Sequence, residues 1–467
     1  MNNDLRRWAA RVPEIDRPTY HAIADAIAED IQAGRLRGSE KLPPLRAVAE
    51  ALGINFTTAA RGYAEAAQRG LIRGQPGSGS FVRGEIPAEP IRRTSPIGTI
   101  DMSMNMPPEP TDPDLIERLR GGLASLARED DLYGLLRYQE FGGARADREA
   151  GAQWLAHRLP DVDPANLLVC PGAHGALLGL FAALARPGDV IACEALGYPG
   201  IKGIAAHLGI RLAGLPADRD GLDPEAFAGL CAANLPKALY INPTLANPTT
   251  ATLSMERRTA IAEIAQRYGV PIIEDDPYGC LPARRLPPLA TLAPQLTFYV
   301  AGLAKVLGAG LRIGYLVLPN VRYTARLTTT LASLAVMANP AMIRLATRWI
   351  VDGTVRAATL AIREESRARQ RLAARALAGI DYWAQPEGFH LWLPVPRPWT
   401  RVELGTRLRQ YGVAAVESDT FAMRSPAPEA MRICLGGRSS RDECHRQLEI
   451  IHDAIEHLPA MAAGADL

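Results

Sequence analysis

The sequence predicts an α/β protein in two parts. A mostly parallel β-sheet flanked by helices, with a smaller α+β subdomain at its C-terminal end, is preceded by a small helical module that carries a two-stranded wing. Three observations lead there. From Ile100 onward, short apolar runs alternate with helix-period segments of about ten to fifteen residues, the pattern that lays helices on the faces of a parallel sheet. Between Tyr20 and Val82, three short helical stretches are followed by two strand-like runs around a Pro-Gly-Ser-Gly turn. Residues 84–98, between these parts, carry three prolines and no hydrophobic period, which is a linker composition.

Composition sets the bounds. A chain of 467 residues has room for about two to four domains. With 48% hydrophobic and 22% charged residues it is an ordinary globular composition, and disorder is not expected. The net charge of +2 excludes a globally basic nucleic-acid binder, so any such footprint must be local. It is local: residues 35–84 hold eight Arg and Lys against Glu40, Glu50 and Glu65. Six scattered cysteines with no C-x-x-C pair read as reduced thiols of a cytoplasmic protein. No apolar signal core follows Met1-Asn-Asn-Asp-Leu-Arg-Arg7, so export is not expected. The uncharged run from Leu167 to Ala185 is broken by Pro171, Gly172, His174 and Gly175, which fits a strand, a turn and a buried helix better than a membrane span. Cys444, His445, His452 and His457 fall on one late helix without the spacing of a ligand set. A solvated face and no metal site are expected there.

In chain order, Tyr20, Ile23, Ile27 and Ile31 lie three and four apart, an amphipathic helix closed by Gly34. A second short helix runs from Leu45 to Leu52 and ends at Gly53. A third begins near Asn55, a capping residue, and passes Thr57, Thr58, Arg61 and Tyr63 to Gly70. Two short helices around a glycine turn form a helix-turn-helix, whose second member presents its first turn to base edges. Leu71 to Val82 supplies the wing. The register of Gly34, Leu42-Pro43, Arg46, Ala49, Gly53, Thr57-Thr58, Tyr63, Gly70 and Gly77-Ser-Gly79 resembles the winged helix-turn-helix of the GntR family of bacterial regulators. The resemblance implies DNA-facing roles for Arg46, Thr57, Thr58, Arg61 and Gly79, and double-stranded operator DNA as a partner.

The second part is organised around Phe298-Tyr-Val-Ala-Gly-Leu-Ala-Lys305-Val-Leu-Gly-Ala-Gly-Leu-Arg312. One lysine in an apolar run has its ammonium form disfavoured, and a neutral amine is the nucleophile of Schiff-base chemistry. The glycines that follow let the backbone turn and return Arg312 toward a phosphate. Upstream, Val169-Cys-Pro-Gly172-Ala-His174 runs a strand into a helix start whose N–H groups, at Ala173 and His174, form an anion cradle. Tyr198 follows another strand, an aromatic able to lie on a planar ring. Tyr240-Ile-Asn-Pro-Thr-Leu-Ala-Asn247-Pro-Thr-Thr250 presents an asparagine amide. Ile273-Glu-Asp275-Asp-Pro-Tyr278 sets carboxylates and a phenol at the carboxyl end of a buried strand, where open α/β sheets hold ligands.

Taken in this order, Gly172-Ala173, Tyr198, Asn247-Pro-Thr, Asp275-x-x-Tyr278 and Lys305 with Arg312 resemble a fold-type I pyridoxal-phosphate aminotransferase across nearly all of residues 100–458. With the winged module in front, the chain is identified as a member of the MocR-type regulators. The implied division is residues 1–83 for the winged module, 84–98 for the linker and 99–458 for the aminotransferase-like domain, with its small subdomain at about 335–458. The resemblance implies pyridoxal 5'-phosphate as cofactor, Lys305 as its Schiff-base lysine, and Asp275 on the pyridine nitrogen. Asn247 and Tyr278 would meet the ring's phenolic oxygen, and Tyr198 would stack on the ring. Arg312 and the N–H groups of Gly172, Ala173 and His174 would bind the phosphate. It further implies that Tyr138 reaches the phosphate site of a partner in a domain-swapped homodimer, and that Arg432 grips the carboxylate of a small amine or amino-acid effector. Gly302 and Ala304 stand where the family usually has hydroxyl residues, and Thr250 where it usually has glycine. Two other readings accompany this one: a working aminotransferase with an appended DNA-binding module, and a cofactor-free interaction scaffold.

Overall fold

A computed structural model of the chain describes residues 8–9, 19–32, 35–36, 40–68, 71–75, 79–82 and 100–457. The linker expected at 84–98, and Gly34, Gly70 and Gly77, lie outside the described residues. The chain divides into two compact units, Met1–Thr94 and Ser95–Leu467.

In the first unit, the helices Thr19–Gln32, Leu45–Leu52 and Phe56–Gln68 bury Ile23, Ile27, Val48, Ala59 and Tyr63 in one cluster. Leu45–Leu52 stops at Gly53, whose φ of 63° is left-handed and whose N–H returns to the carbonyls of Ala49 and Glu50. Asn55 caps the next helix: its Oδ1 accepts from the Thr58 N–H at 2.7 Å and from the Thr58 hydroxyl at 2.8 Å. Tyr63 ties that helix back to the preceding turn by donating its hydroxyl to the Pro43 carbonyl at 2.8 Å. The strands Ile72–Gln75 and Gly79–Val82 pair antiparallel, with Ile72 opposite Val82. Trp8 also sits in this core, and its indole N–H donates to the Asp30 carboxylate at 3.0 Å, where Arg35 binds as well.

The second unit is built on a seven-stranded sheet in the order Leu167–Cys170, Gly314–Val317, Thr297–Gly302, Ile272–Asp275, Ala238–Ile241, Val190–Glu194, Arg211–Leu215. Only Gly314–Val317 runs against its neighbours, as the return arm that follows Lys305. Alternate residues enter two separate cores: Val169, Tyr299, Ala301 and Tyr315 on one face, Leu168, Cys170, Phe298 and Val300 on the other. Burial on both faces is why these strands read as continuous apolar runs. A four-stranded antiparallel sheet follows, in the order Trp383–Ala384, His390–Pro394, Ala430–Cys434, Val416–Glu417. The helices Thr354–Ala376, Arg401–Gln410 and Arg441–Glu456 pack beside it. Cys444 faces that core, so it departs from the solvated face expected of its helix. All six cysteines are buried and unpaired. Among the described residues, no helix is long and apolar enough to cross a membrane.

The small sheet recruits a strap from the opposite end of the unit. Ile100–Asp101 pairs parallel with Val413–Ala414, the Cys434 N–H donates to the Met102 carbonyl at 2.9 Å, and the Gly437 N–H donates to the Pro107 carbonyl at 3.1 Å. Gly436 makes this fit possible, because a Cβ there would overlap the carbonyl oxygen of Met106. Gly436→Ala is therefore expected to lift the strap and cost about 1–3 kcal/mol, read as a lower thermal midpoint and faster proteolysis near residues 100–108.

Candidate functional site

The parallel strands end along one edge of the large sheet, and the residues singled out from the sequence stand in the turns that follow them. Gly172 follows Leu167–Cys170, Asn247 lies beyond Ala238–Ile241, Asp275 closes Ile272–Asp275, and Lys305 follows Thr297–Gly302. The antiparallel strand then begins at Gly314, which brings Arg312 back to the same edge.

Three successive carboxylates at the end of one strand find three different environments. Glu274 accepts the N–H groups of Leu289 and Ala290 at 3.0 and 2.8 Å. Asp276 Oδ2 accepts from Arg158 Nε and Nη2, at 3.0 and 2.8 Å, and from the Tyr299 hydroxyl at 2.8 Å. Asp275 receives one hydroxyl, from Tyr240 at 2.8 Å, and its Oδ1 is buried with no partner. Burial pushes the Asp275 carboxyl up to about 7, with the Tyr240 hydrogen bond pulling the other way. Asp276 also leaves Oδ1 unpartnered, but three donors on its other oxygen commit it to the framework. Asp275 thus offers a free oxygen, and a cationic N–H donor there would favour its ionised form.

Lys305 sits in a single turn of 3-10 helix, Leu303–Lys305. Its ammonium donates to the backbone carbonyl of Asn105 and lies 5.8 Å from the Tyr278 ring centroid. Burial pulls the amine down to about 8, and the nearby Arg432 guanidinium acts in the same direction. Asn105 also donates from Nδ2 to the Tyr278 hydroxyl at 2.8 Å, so the strap closes over both residues.

The helix Gly172–Leu184 presents its first N–H groups to this edge. Gly172 has a φ of 79°, and a Cβ on it would meet the Arg312 guanidinium at 3.4 Å. Gly314 runs so close beneath that a Cβ would come within 2.6 Å of the Ala173 nitrogen. His174 has its imidazole pushed down by burial and by Arg312, and its Nδ1 lies 3.3 Å from the Tyr198 hydroxyl. Backbone N–H groups and one guanidinium therefore converge on a volume fit for an oxyanion group. Gly302 explains one missing hydroxyl: a Cβ there would stand 3.3 Å from the Ile313 carbonyl oxygen and 3.7 Å from the Ala173 Cβ. Thr250, where glycine is usual, takes a φ of 63°, a strained conformation for a β-branched residue.

From the small sheet, Arg432 reaches across. Its Nη1 donates to Asn247 Oδ1 at 2.7 Å and its Nη2 to the Ser103 carbonyl, while its guanidinium lies 4.7 Å from the Phe421 ring centroid. His390 is fully buried beside Tyr278, with ring centroids 5.8 Å apart, and burial pulls its imidazole down to about 3. Lys305, Tyr278, Asn247 and Arg432 are thus linked through direct contacts or through the strap, and Asn242 joins Asp275 to Asn247 by donating to the Asp275 carbonyl at 2.8 Å and accepting the Asn247 N–H at 2.9 Å. Tyr138 is not among them: within this chain it is 82% exposed. Tyr198 meets His174 edge-on, at 88°, and Gly200 leaves room for its ring. The sequence reading missed Ser103, Asn105 and His390. Tyr240 carried a faint signal, as a polar tip inside an otherwise apolar strand.

In the first unit, Arg46, Thr57 and Arg61 are exposed and Thr58 is half-buried by its capping bond. Gly79, with a φ of 109°, opens the second wing strand, and a Cβ on it would meet the Lys41 side chain at 3.1 Å. Glu65 faces His21 at 3.4 Å.

Residues 98–451 match the family model for aminotransferase class I and II, and residues 19–82 that for the bacterial regulatory proteins of the gntR family. The uncharacterized HTH-type transcriptional regulator YdeF of Bacillus subtilis is 27% identical, over 97% of each chain. The vitamin B6 salvage pathway transcriptional repressor PtsJ of Salmonella typhimurium is 26% identical over 90% of this chain and 95% of its own. Among solved structures, LysN of Thermus thermophilus, an alpha-aminoadipate aminotransferase, superposes with a TM-score of 0.69 at 21% identity. That match spans 77% of this chain and 92% of LysN, and shares the fold.

The raised Asp275 carboxyl carries a signed pH dependence. Between about 4 and about 7 the folded state keeps a proton that the unfolded chain releases, so this group's contribution to stability declines as pH rises through that window. Asp275→Asn removes the effect. Its thermal midpoint minus that of the wild type is expected to grow from pH 5 to pH 7 in cofactor-free protein.

Proposed function

Because the chain belongs to the aminotransferase class I and II family, and joins it to a gntR-family module as the MocR-type regulators do, we propose that it is a transcriptional regulator that binds operator DNA with its first unit and pyridoxal 5'-phosphate with its second. The cofactor domain serves as the sensor of an amine or amino acid. The observation that carries the reading is the buried, unpartnered Oδ1 of Asp275 in the same pocket as an amine lowered to about 8.

Bound pyridoxal phosphate supplies an aldehyde for reversible exchange between amines and an electron-withdrawing ring. The chain's own residues do the rest. Lys305, whose amine burial pulls down, furnishes the nucleophilic nitrogen. Asp275 Oδ1 holds the ring N–H, while Tyr278 and Asn247 orient the phenolic oxygen and Tyr198 covers the ring. Gly172, Ala173, His174 and Arg312 cradle the phosphate without the two usual hydroxyls. Arg432 exchanges its bonds to Asn247 and Ser103 for an effector carboxylate.

The strap gives this exchange a route to the linker. Lys305 and Arg432 donate to carbonyls of Asn105 and Ser103, a few residues after the proposed linker at 84–98. Engaging the lysine or filling the carboxylate site withdraws a donor from that strap and shifts the balance between two strap positions. The exposed apolar run with Leu132, Tyr133, Leu136 and Tyr138 fits a homodimer in which Tyr138 reaches the partner's phosphate site, and two-fold operators suit such a dimer. We place the protein in the cytoplasm, with the unpaired cysteines in keeping.

Steady transamination is the second reading, favoured by the pairing of Arg432 with Asn247 beside Lys305. Sustained turnover of an amino acid with a 2-oxo acid would establish it, and a single-turnover colour change would not.

Adding pyridoxal phosphate is expected to give a visible absorption band that Lys305→Ala abolishes. Arg432→Ala should keep the band and weaken amino-acid effectors about 10- to 100-fold, leaving simple amines unaffected. A colourless wild type would end the sensor account. In gel shifts on the promoter beside its own gene, Arg46→Ala should weaken binding to all sequences alike and reduce the salt slope by about one.

A further inference from the structure

A second recess, of about 340 Å³, opens between the segment 281–286, the turn 385–387 and the near side of the loop that leads to Asn247. None of the residues placed around Lys305 as ligand contacts lines it. Arginine dominates its walls: Arg158, Arg258, Arg284 and Arg285, against Glu387 as the one carboxylate.

Most of these charges are accounted for. Arg158 is matched by Asp276 at 2.8 Å. Arg258 lies 3.9 Å from Glu274 and donates to the carbonyls of Leu253 and Pro243. Glu387 is taken by Arg367 and by the Ala283 N–H. Arg363, just behind, donates to the carbonyls of Leu281 and Cys280 and has no carboxylate within ion-pair distance among the described residues. Arg284 and Arg285 have no hydrogen bond or ion pair among the described residues. Arg285 is also held below its usual proton affinity, by partial desolvation and by Arg363, with Glu387 acting the other way. Two guanidinium groups without an ion-pair partner among the described residues, Arg284 and Arg285, thus line one opening, with Arg363 behind them. Like charges so placed repel, and a compact dianion relieves the repulsion where a single carboxylate would do so only in part. Leu245, Pro282 and Leu286 supply an apolar wall for a short carbon chain.

We propose that this recess binds the phosphate group of a small phosphate ester, at a site separate from the one around Lys305. Its floor touches the machinery next door. Arg158 fixes the carboxylate adjacent to Asp275, and Thr244 and Leu245 begin the loop that carries Asn247. An ester bound here would alter how firmly that loop and that carboxylate are held.

The test is calorimetric titration of full-length protein with inorganic phosphate and with glycerol 3-phosphate, at constant ionic strength. Three proteins are compared: wild type, the double variant Arg284→Ala/Arg285→Ala, and Arg312→Ala, which weakens the other oxyanion cradle. Saturable binding should persist in Arg312→Ala and weaken at least about tenfold in the double variant. Both replaced arginines are exposed, so an unchanged circular-dichroism spectrum is expected as well. Loss confined to Arg312→Ala, equal binding in all three proteins, or no saturable binding would overturn the proposal. Tighter binding of succinate than of either phosphate would also overturn it, by assigning the recess to dicarboxylates.

Discussion

A partly buried ammonium whose hydrogen-bond acceptor among the described residues is a backbone carbonyl is the constraint on which the larger unit turns. Lys305 stands in the turn that follows a strand buried on both faces, and the carbonyl of Asn105 is a neutral acceptor. The bond satisfies a donor without neutralising its charge, so burial still favours the free amine. The segment 100–108 is fastened there by donors from Lys305 and Arg432. Gly436 and Gly437 hold that segment close to the end of the small sheet.

The end of the strand Ile272–Asp275 shows how the fold keeps one carboxylate reactive among three. Glu274 is absorbed by a helix start and Asp276 by Arg158 and Tyr299, both of which rigidify the backbone on either side. Asp275, held by a single phenol, retains an oxygen with no donor. Leaving such a group unsatisfied inside a protein is costly, and sites that bind ligands are where that cost is met with. The glycines at 172, 302 and 314 do the corresponding work for the oxyanion cradle, bringing three backbone segments closer than side chains would allow.

Much of this was legible in the sequence because it depends on near neighbours. Gly53, Asn55 and the paired wing strands carry their own local signals, and the three helices fall where the spacing of Ile23, Ile27 and Tyr63 puts them. The alternation after Ile100 gave the sheet, and the glycines around Lys305 and Gly172 gave its edge. What stayed hidden was non-local. Asn105 meets Lys305 across 200 residues and Ser103 meets Arg432 across 329, and neither has a period or a turn signature to betray it. Trp8 was overlooked because its neighbours give no amphipathic pattern, yet its indole anchors Asp30. Tyr138 remains the least legible residue, since a single chain leaves it on the surface.

The core of the first unit draws on residues from Trp8 to Val82, and every other core cluster draws on residues from Met102 onward. Genetics should feel this separation. Lesions would sort into two classes by position alone, one that leaves promoters unoccupied and one that leaves them occupied but deaf to metabolism, with the second class dominant over a normal copy wherever mixed pairs of subunits assemble.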